Sequence, residues 1–269
     1  MCKVLNVTRS GYYAWRKRPL SKHEQSNQEL LVMIQKVFQT SRRTYGSPRI
    51  HAYLRRNGWI CGHNRVARLM RIHKIVARTR HRRYPITTQR QPGAIPAPNL
   101  LNRNFSAEWP NQKWVTDITY IDTAEGWLYL ASVLDLYSRK VVGWAMSEQI
   151  DSSLTASALH MACITRRPRG GLIHHSDQGR QFTSTAYQQI LKGMGCKVSM
   201  SSVGNCYDNA VMESFFATLK AECVTEQYAT REEARRTIFD YLEAWYNRQR
   251  LHSALGYLNP TEFEAQSGH

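Results

Sequence analysis

Residues 204–220 read GNCYDNAVMESFFATLK, and this stretch predicts a helix that the rest of the chain must pack against. Gly204 and Asn205 interrupt the segment before it, and a side-chain oxygen of Asp208 or Asn209 can cap the first helical amides. Apolar side chains then recur at helical spacing, which predicts the buried face: Val211, Phe215, Phe216 and Leu219.

Two charged residues lie on this predicted helix. Glu213 falls near the edge of the buried face, in the first turns. Lys220 follows seven residues later, which is about two helical turns, so both side chains project from the same side. A paired acid and base at this position need further polar partners from elsewhere in the chain.

Two upstream aspartates lie in or at the end of predicted strands and are candidate partners of Glu213 and Lys220. Asp117 is inside KWVTDITYI (113–121), where β-branched and aromatic residues alternate with polar ones. Asp177 ends GLIHHSD (171–177), a short apolar strand that runs into a glycine turn, and thirty-five residues separate it from Glu213.

These motifs together resemble the DDE transposases and retroviral-type integrases, and most closely the OrfB class of bacterial insertion-sequence transposases. The resemblance covers nearly the whole chain, and all three acidic positions are present. It rests on four motifs: WVTD (114–117), HSDQGRQF (175–182), Asp208-Asn209-Ala210 followed by Glu213 and Lys220, and the tail YNRQRLHSALGY (246–257).

The resemblance implies a ribonuclease-H-like fold in which Asp117, Asp177 and Glu213 are catalytic and bind metal. Phosphodiester cleavage needs an activated nucleophile and relief of negative charge, which two Mg²⁺ or Mn²⁺ ions about 3.5–4 Å apart supply. Hard cations of this kind take oxygen ligands, so a few carboxylates suffice. We expect Asp117, on a central strand, to bridge the ions, and Lys220 to contact DNA or to be a surface residue.

The net charge of +17 is unevenly distributed. Residues 1–110 hold 22 Lys and Arg against three Asp and Glu, whereas residues 111–269 hold 15 against 17. A basic N-terminal part joined to a near-neutral body is typical of a nucleic-acid-binding arm attached to a catalytic domain. A basic domain that is merely soluble is the alternative.

The basic part contains three predicted helices at residues 24–40, 47–57 and 64–73, and Ser47 is expected to cap the second, with Pro48 at its first position. The third helix has a packing face and a guanidinium face. This pattern is that of a recognition helix in a helix-turn-helix domain, although a solvated surface helix is possible. The predicted DNA contacts are Arg65, Arg68 and Arg71 on this helix and Arg80, Arg82 and Arg83 in the basic run after it.

The predicted domain organisation has four parts. Residues 1–20 form an N-terminal fragment with a short aromatic helix, and residues 21–83 form the small all-α helix-turn-helix domain. Residues 84–110 hold five of the nine prolines and read as a linker. Residues 111–269 form the catalytic core.

The core has the pattern of an α/β fold with a mixed sheet. Strands are expected at 114–121, 127–134, 141–147, 172–175 and 197–201. Helices are expected at 153–165, 184–191 and 232–247 in addition to the one that carries Glu213.

Several other residues have two open interpretations. His175 could orient a ligand or pack between strands, and Gln181 could contact DNA. Asn209 is a further candidate for orienting a ligand, and Asp135 is expected to cap a hairpin rather than bind metal. Core positions are expected for Trp127, Trp144 and Trp245.

The six cysteines show no paired spacing, and no stretch approaches the roughly 20 apolar residues of a membrane span. We therefore expect a cytoplasmic bacterial protein, associated with the nucleoid when bound to DNA.

The resemblance implies a Mg²⁺-dependent transposase that hydrolyses DNA at the 3′ ends of an insertion sequence and then joins those ends to a second DNA. It also implies double-stranded DNA as partner, a homo-oligomer on that DNA, and an upstream-frame (OrfA) polypeptide as fusion or partner. The alternatives are a non-specific ribonuclease-H-like nuclease and a catalytically silent DNA-binding regulator.

Overall fold

The computed structural model describes residues 2, 4, 7–78, 97–202, 206–224 and 226–266. Two compact units divide the chain at Ala77 and Arg78. Several predicted features lie outside the described residues, namely the basic run with Arg80, Arg82 and Arg83, residues 84–96 of the proline-rich segment, and Gly204 and Asn205.

The first unit is helical. Its elements are α1 (Arg9–Lys17), α2 (Lys22–Thr40), α3 (Ser47–Arg56) and α4 (His63–Ile72). Apolar residues at helical spacing on α2, α3 and α4 form its core: Leu30, Ile34, Val37, Ile50, Leu54, Val66, Leu69 and Met70. None of the residues of α1 is buried.

The cap of α3 differs from the prediction. Gly46 is the N-cap and makes no side-chain hydrogen bond, and Ser47 is the first helical residue. The Ser47 hydroxyl instead lies 3.2 Å from His63 Nε2 at the start of α4. Pro48 is in the first turn, as expected, because its missing amide hydrogen is not needed there.

The second unit is built on a five-stranded mixed sheet in the order β3-β2-β1-β4-β5. The strands are β1 (Lys113–Ile121), β2 (Leu128–Asp135), β3 (Val141–Ser147), β4 (Ile173–Ser176) and β5 (Lys197–Met200). β1 pairs antiparallel with β2 and parallel with β4, so it lies at the centre of the sheet.

Helices cover this sheet and complete the unit. They are α5 (Ser152–Arg166), α6 (Arg180–Thr183), α7 (Thr185–Gly193), α8 (Ala210–Glu222), α9 (Arg231–Asp240) and α10 (Pro260–Gln266). A 3₁₀ turn (Cys206–Asn209) precedes α8, a π-helical turn (Tyr241–Tyr246) follows α9, and a second 3₁₀ turn covers Ser253–Leu255. α6 and α10 were not predicted. The single helix predicted over 232–247 is confirmed as helical to Tyr246, although its backbone changes from α-helical to π-helical after Asp240.

The main core lies between the sheet and α5, with side chains that include Trp114, Val133 and Leu159. Asp135 caps the β2–β3 turn through the Tyr137 amide, as expected, and also binds Arg166. Of the three tryptophans expected in the core, Trp245 is buried, Trp144 is half-buried, and Trp127 is 51% exposed. The prediction for Trp127 is therefore wrong: it lies just before β2, with its ring against Tyr120 at a sheet edge rather than inside it.

Close approach of α5 to the sheet requires glycine at position 143. A Cβ there would lie 2.7 Å from both the Cβ and the backbone nitrogen of Ala162, closer than van der Waals contact allows. We expect Gly143→Ala to lower the free energy of unfolding by roughly 1–3 kcal/mol, because α5 must move away from the strand. Urea unfolding measures this change.

Gly193→Ala is the matched control. This glycine is at the end of α7, and no atom lies within 4 Å of where its Cβ would be. Its replacement should leave stability unchanged or raise it by up to about 1 kcal/mol. Equal effects of the two substitutions would show that α5 does not need the glycine.

Candidate active site

Asp117 lies on the central strand β1, opposite Ser132 of β2, and is half-buried. Its Oδ1 atom accepts a hydrogen bond of 2.8 Å from the next backbone amide, that of Ile118. The carboxyl group is thus anchored on one side by the strand itself.

Asp177 follows the end of β4, the parallel neighbour of β1. Val115 pairs with His175, so Asp117 and Asp177 each lie two residues further along adjacent strands. Parallel strands present their carboxyl ends at the same edge of a sheet, which brings the two side chains to the same edge. Asp177 Oδ1 accepts a hydrogen bond of 2.9 Å from the Gly179 amide, which fixes the turn after β4.

Glu213 is in the first turn of α8, the helix that packs on β1. The predicted buried face is largely confirmed, since Phe215, Phe216 and Leu219 are buried and Glu213 is exposed beside them. The expected capping differs, because Asn209 occupies the N-cap position without a side-chain hydrogen bond to the helix.

The charges of these three acids interact. Burial raises the pKa of Asp117 well above its usual range, and the neighbouring carboxylates of Asp177 and Glu213 raise it further. Partial burial of its carboxyl group raises the pKa of Glu213, although the residue as a whole is exposed. Burial lowers the pKa of Lys220, and the negative charge of Asp117 partly offsets this. Three acids and one base therefore share one electrostatic environment at the edge where β1 meets α8.

The donor set fits a hard divalent cation, because carboxylate oxygens that repel one another are stabilised by such an ion. The described part of the chain contains no group of three or more His, Cys, Asp or Glu side chains already arranged to hold one. The carboxylates are thus electrostatic neighbours rather than a closed coordination sphere.

His175 has a packing role in this structure. Its ring nitrogens lie 2.8 Å from Ser199 Oγ and 3.1 Å from Ser201 Oγ, and the residue is fully buried between β4 and β5. Burial lowers the pKa of His175 to about 4, so the ring is neutral at physiological pH. Gln181 is likewise buried, in α6.

Asn209 links α8 to the central strand. Its side-chain Nδ2 donates to the Thr116 carbonyl at 3.4 Å, one residue before Asp117. Its Oδ1 is buried and has no hydrogen-bond partner within the described ranges. This amide oxygen therefore remains able to accept a hydrogen bond close to the acids.

The far end of α8 is held by a buried ion pair that the sequence does not reveal. Arg250 Nη2 and Nε donate to the two oxygens of Glu222 at 2.7–3.0 Å, and both side chains are about 95% buried. Tyr241 and Trp245 donate to the same carboxylate. The only sequence signal was the position of Arg250 in the tail motif, which assigns it no role.

The predicted recognition helix is α4, in the first unit. Arg68 and Arg71 are exposed on it. Arg65 is half-buried and donates from Nε to Asn27 Oδ1 and from Nη2 to Ser26 Oγ, both at 2.8 Å. Arg65 therefore ties α4 to α2, which distinguishes it from the other two arginines.

Over the described residues, no helix has the length and apolar character required to cross a membrane.

Comparisons with known families match both units. A family model described as an integrase core domain matches residues 107–206, a second of the same description matches residues 194–260, and an HTH-like domain model matches residues 25–83. With the five-stranded mixed sheet, these matches confirm the expected fold class of a ribonuclease-H-like core after a helical domain.

Relatives match over nearly the full chain. "Insertion element IS600 uncharacterized 31 kDa protein" of Shigella sonnei is 44% identical over 264 residues, covering 98% of this chain and 97% of that protein. "Transposase InsF for insertion sequence IS3A" of Escherichia coli (strain K12) is 43% identical over 267 residues, covering 98% and 92%. Among solved structures, the catalytic core domain of BIV integrase is 20% identical with a TM-score of 0.45, covering 59% of this chain and 97% of that one.

The raised pKa of Asp117, caused by burial and by repulsion from the other acids, predicts that its carboxylate destabilises the folded state when no metal is bound. A carboxyl whose pKa is raised on folding favours the folded state while protonated, and this contribution is lost as the pH rises through the folded pKa. In EDTA at pH 7, Asp117→Asn should therefore raise the free energy of unfolding, by about 1.4 kcal/mol for each unit by which folding raises the pKa. Urea unfolding at pH 4 and pH 7 measures this, with the gain growing between the two.

Asp240→Asn is the control, since this aspartate is exposed on α9 and the same change of charge should alter stability little. If Asp117→Asn matched the wild type at both pH values, Asp117 would not carry the repulsion.

Proposed function

This chain belongs to the insertion-sequence transposases that carry an integrase core domain, and from that membership we propose that it cuts and joins DNA strands at Asp117, Asp177 and Glu213. The observation that carries this proposal is the register of β1 and β4, which brings Asp117 and Asp177 to the same edge of the sheet beside α8. The raised pKa of Asp117, caused by burial and by the two other carboxylates, supports it. A buried acid that lies within the electrostatic influence of two other carboxylates is typical of a cation-binding site.

Two Mg²⁺ ions held by these three carboxylates, with Mn²⁺ as a substitute, would supply charge neutralisation and a more acidic attacking hydroxyl. Asp117 interacts electrostatically with both of the other acids, so it is the residue that would contact both ions. The protein's own contribution is to place the acids: β1 fixes Asp117, the Gly179 amide fixes Asp177, and α8 carries Glu213.

The proposed reaction has two steps at the same site. In the first, a water oxygen attacks the phosphorus at the 3′ end of the element, the bond from phosphorus to the 3′ oxygen breaks, and a free 3′-OH and a 5′-phosphate result. In the second, that 3′-OH attacks a phosphodiester of another DNA, which joins the strands and releases a new 3′-OH. Lys220 is suited to bind a phosphate oxygen, because its ammonium group lies beside Asp117 in the same environment.

Double-stranded DNA is the proposed partner of the first unit. α4 has a buried apolar face and an opposite face with exposed Arg68 and Arg71, which can pair with phosphates or guanine edges. The basic run with Arg80, Arg82 and Arg83 would extend this contact. Arg65 contributes indirectly, by holding α4 on α2.

Joining two ends of an element requires both to be held at once, so a second copy of the chain is the proposed partner on DNA. A partner polypeptide from an upstream frame is proposed on family membership alone. The proposed place of action is the bacterial cytoplasm, where the chromosome lies.

The test uses a duplex that ends in the terminal repeat of the element, with a labelled 3′ strand, and a supercoiled plasmid as target. The wild type with Mg²⁺ should transfer the label to the plasmid. Asp117→Asn, Asp177→Asn and Glu213→Gln should each lower the rate at least ~10³-fold, because loss of one carboxylate removes stabilisation of the reacting phosphate.

The control in this assay is Asp240→Asn, which makes the same change away from the site and should transfer label at the wild-type rate. Label released without joining would instead indicate a nuclease. DNA binding with no metal-dependent chemistry in the wild type would indicate a silent regulator.

The arginines of α4 should differ in a binding experiment. Replacing Arg68 and Arg71 together with Gln should reduce the slope of log K against log salt concentration by about 2, since each phosphate contact contributes about 0.9. Arg65→Gln should instead lower the unfolding temperature, because it removes two hydrogen bonds between α2 and α4. Fluorescence anisotropy across a salt series and thermal unfolding separate the two, and an unchanged slope for the double variant would contradict the assignment.

A further inference from the structure

A segment that precedes the catalytic core in sequence packs against it. Leu101 is 1% exposed, and the amides of Leu100 and Leu101 donate to Ser199 Oγ on β5 at 2.9 and 3.3 Å. The segment was predicted as the end of a linker, yet residues 99–103 are docked here by specific hydrogen bonds. We call residues 99–103 the docked segment.

Asp208 is the second anchor of the docked segment. Its Oδ2 accepts from Asn99 Nδ2 at 3.0 Å, and its Oδ1 accepts from Arg103 Nε at 3.1 Å. The same Oδ2 also accepts from the Ser202 amide at 2.9 Å, so one carboxylate binds both the docked segment and the end of β5. Asp208 is 2% exposed.

The charge of Asp208 is stabilised in this position. Burial would raise the pKa of Asp208, but the hydrogen bonds from the Ser202 amide and from Arg103 outweigh it and lower the pKa. A buried carboxylate with three donors is strongly held, whereas loss of one donor leaves part of its charge uncompensated.

Asp208 lies where its contacts can affect the position of Glu213. It is in the 3₁₀ turn directly before α8, and the next residue, Asn209, bonds to the Thr116 carbonyl beside Asp117. Asn209 makes no side-chain cap, so the packing of the buried Met212 and the contacts of the preceding turn together hold the beginning of α8. A shift of that turn would move the first helical turn, which carries Glu213, relative to Asp117.

We propose that Asp208 and Arg103 are positioning residues for the reaction, and that the docked segment fixes the distance of Glu213 from the two aspartates. This inference rests on the proposed function, because it assigns Glu213 to the chemistry. A catalytic group that is displaced by 1 Å can cost about 10²-fold in rate, so a modest loosening of the turn has a measurable effect.

Arg103 makes the sharper test. Its side chain is 56% exposed, so replacing it should change the unfolding temperature little. Arg103→Gln removes the charged donor to Asp208, and Arg103→Lys retains a cation there. Arg169→Gln is the matched control, with the same loss of charge at an exposed arginine of the same unit.

The kinetic experiment uses the full chain with saturating DNA and a Mg²⁺ series. We expect Arg103→Gln to lower the single-turnover rate at least ~10-fold and to raise the Mg²⁺ concentration for half-maximal rate, whereas Arg103→Lys recovers most of the rate. Asp208→Asn should have the same kinetic effect although it changes the charge in the opposite direction. A rate for Arg103→Gln equal to that of Arg169→Gln would overturn the proposal, as would a loss explained entirely by weaker DNA binding.

Hydrogen exchange tests the positioning separately from the chemistry. In Arg103→Gln, the amides of Ser202 and of Ser214 in α8 should exchange faster than in the wild type and in Arg169→Gln. Unchanged exchange at both amides would overturn the positioning role even if the wild type is active. A wild type that transfers no strand would overturn the proposed function, while the exchange result would still decide whether the docked segment holds α8.

Discussion

Burial of the Asp117 carboxyl group beside two other carboxylates is the constraint on which the site in the second unit depends. Without the surrounding packing, three acids would move apart into water, where their charges are screened and hydrated. The central strand prevents this for Asp117, since β1 is paired on both sides and cannot shift its register without exposing the core. The fold therefore stores an unfavourable electrostatic arrangement at one edge, and a bound cation is the simplest way to relieve it.

Glu213 comes from a helix rather than from the sheet, so α8 must be fixed at both of its ends. At its beginning, Asp208 holds the preceding turn, and at its end, Glu222 is bound by Arg250 within a buried aromatic environment. Removal of one partner of such a buried pair leaves a buried charge without compensation and is strongly destabilising, so the pair holds the end of α8 only while both residues are present. Asn247, in the same tail, accepts a hydrogen bond from the Val141 amide and donates one to the Val141 carbonyl. It thereby also covers the edge strand β3.

Elements with a clear period were predictable, whereas contacts between distant residues were not. Strand β3 occupies the predicted residues 141–147, because the composition of a short strand and the turn before it are local properties of the sequence. Arg65 looked like a DNA contact, since nothing in the sequence indicates that Asn27, 38 positions earlier, would bind it. Arg103 and Asp208 are 105 positions apart, and proline content favoured a linker up to residue 110. The site acids were predicted from the family motif, since a lone strand-end aspartate more often caps a turn.

The distribution of charge follows from the same physics. The second unit uses several of its basic side chains internally, as Arg166 binds Asp135 and Glu264 and Arg250 binds Glu222. The three acids themselves repel a phosphate backbone. The surplus in residues 1–110, which hold 22 Lys and Arg against three acids, is the source of attraction for DNA that we propose. The proposed separation of DNA binding from chemistry would resolve a conflict, because a site with three neighbouring carboxylates cannot also be the main source of attraction for a polyanion.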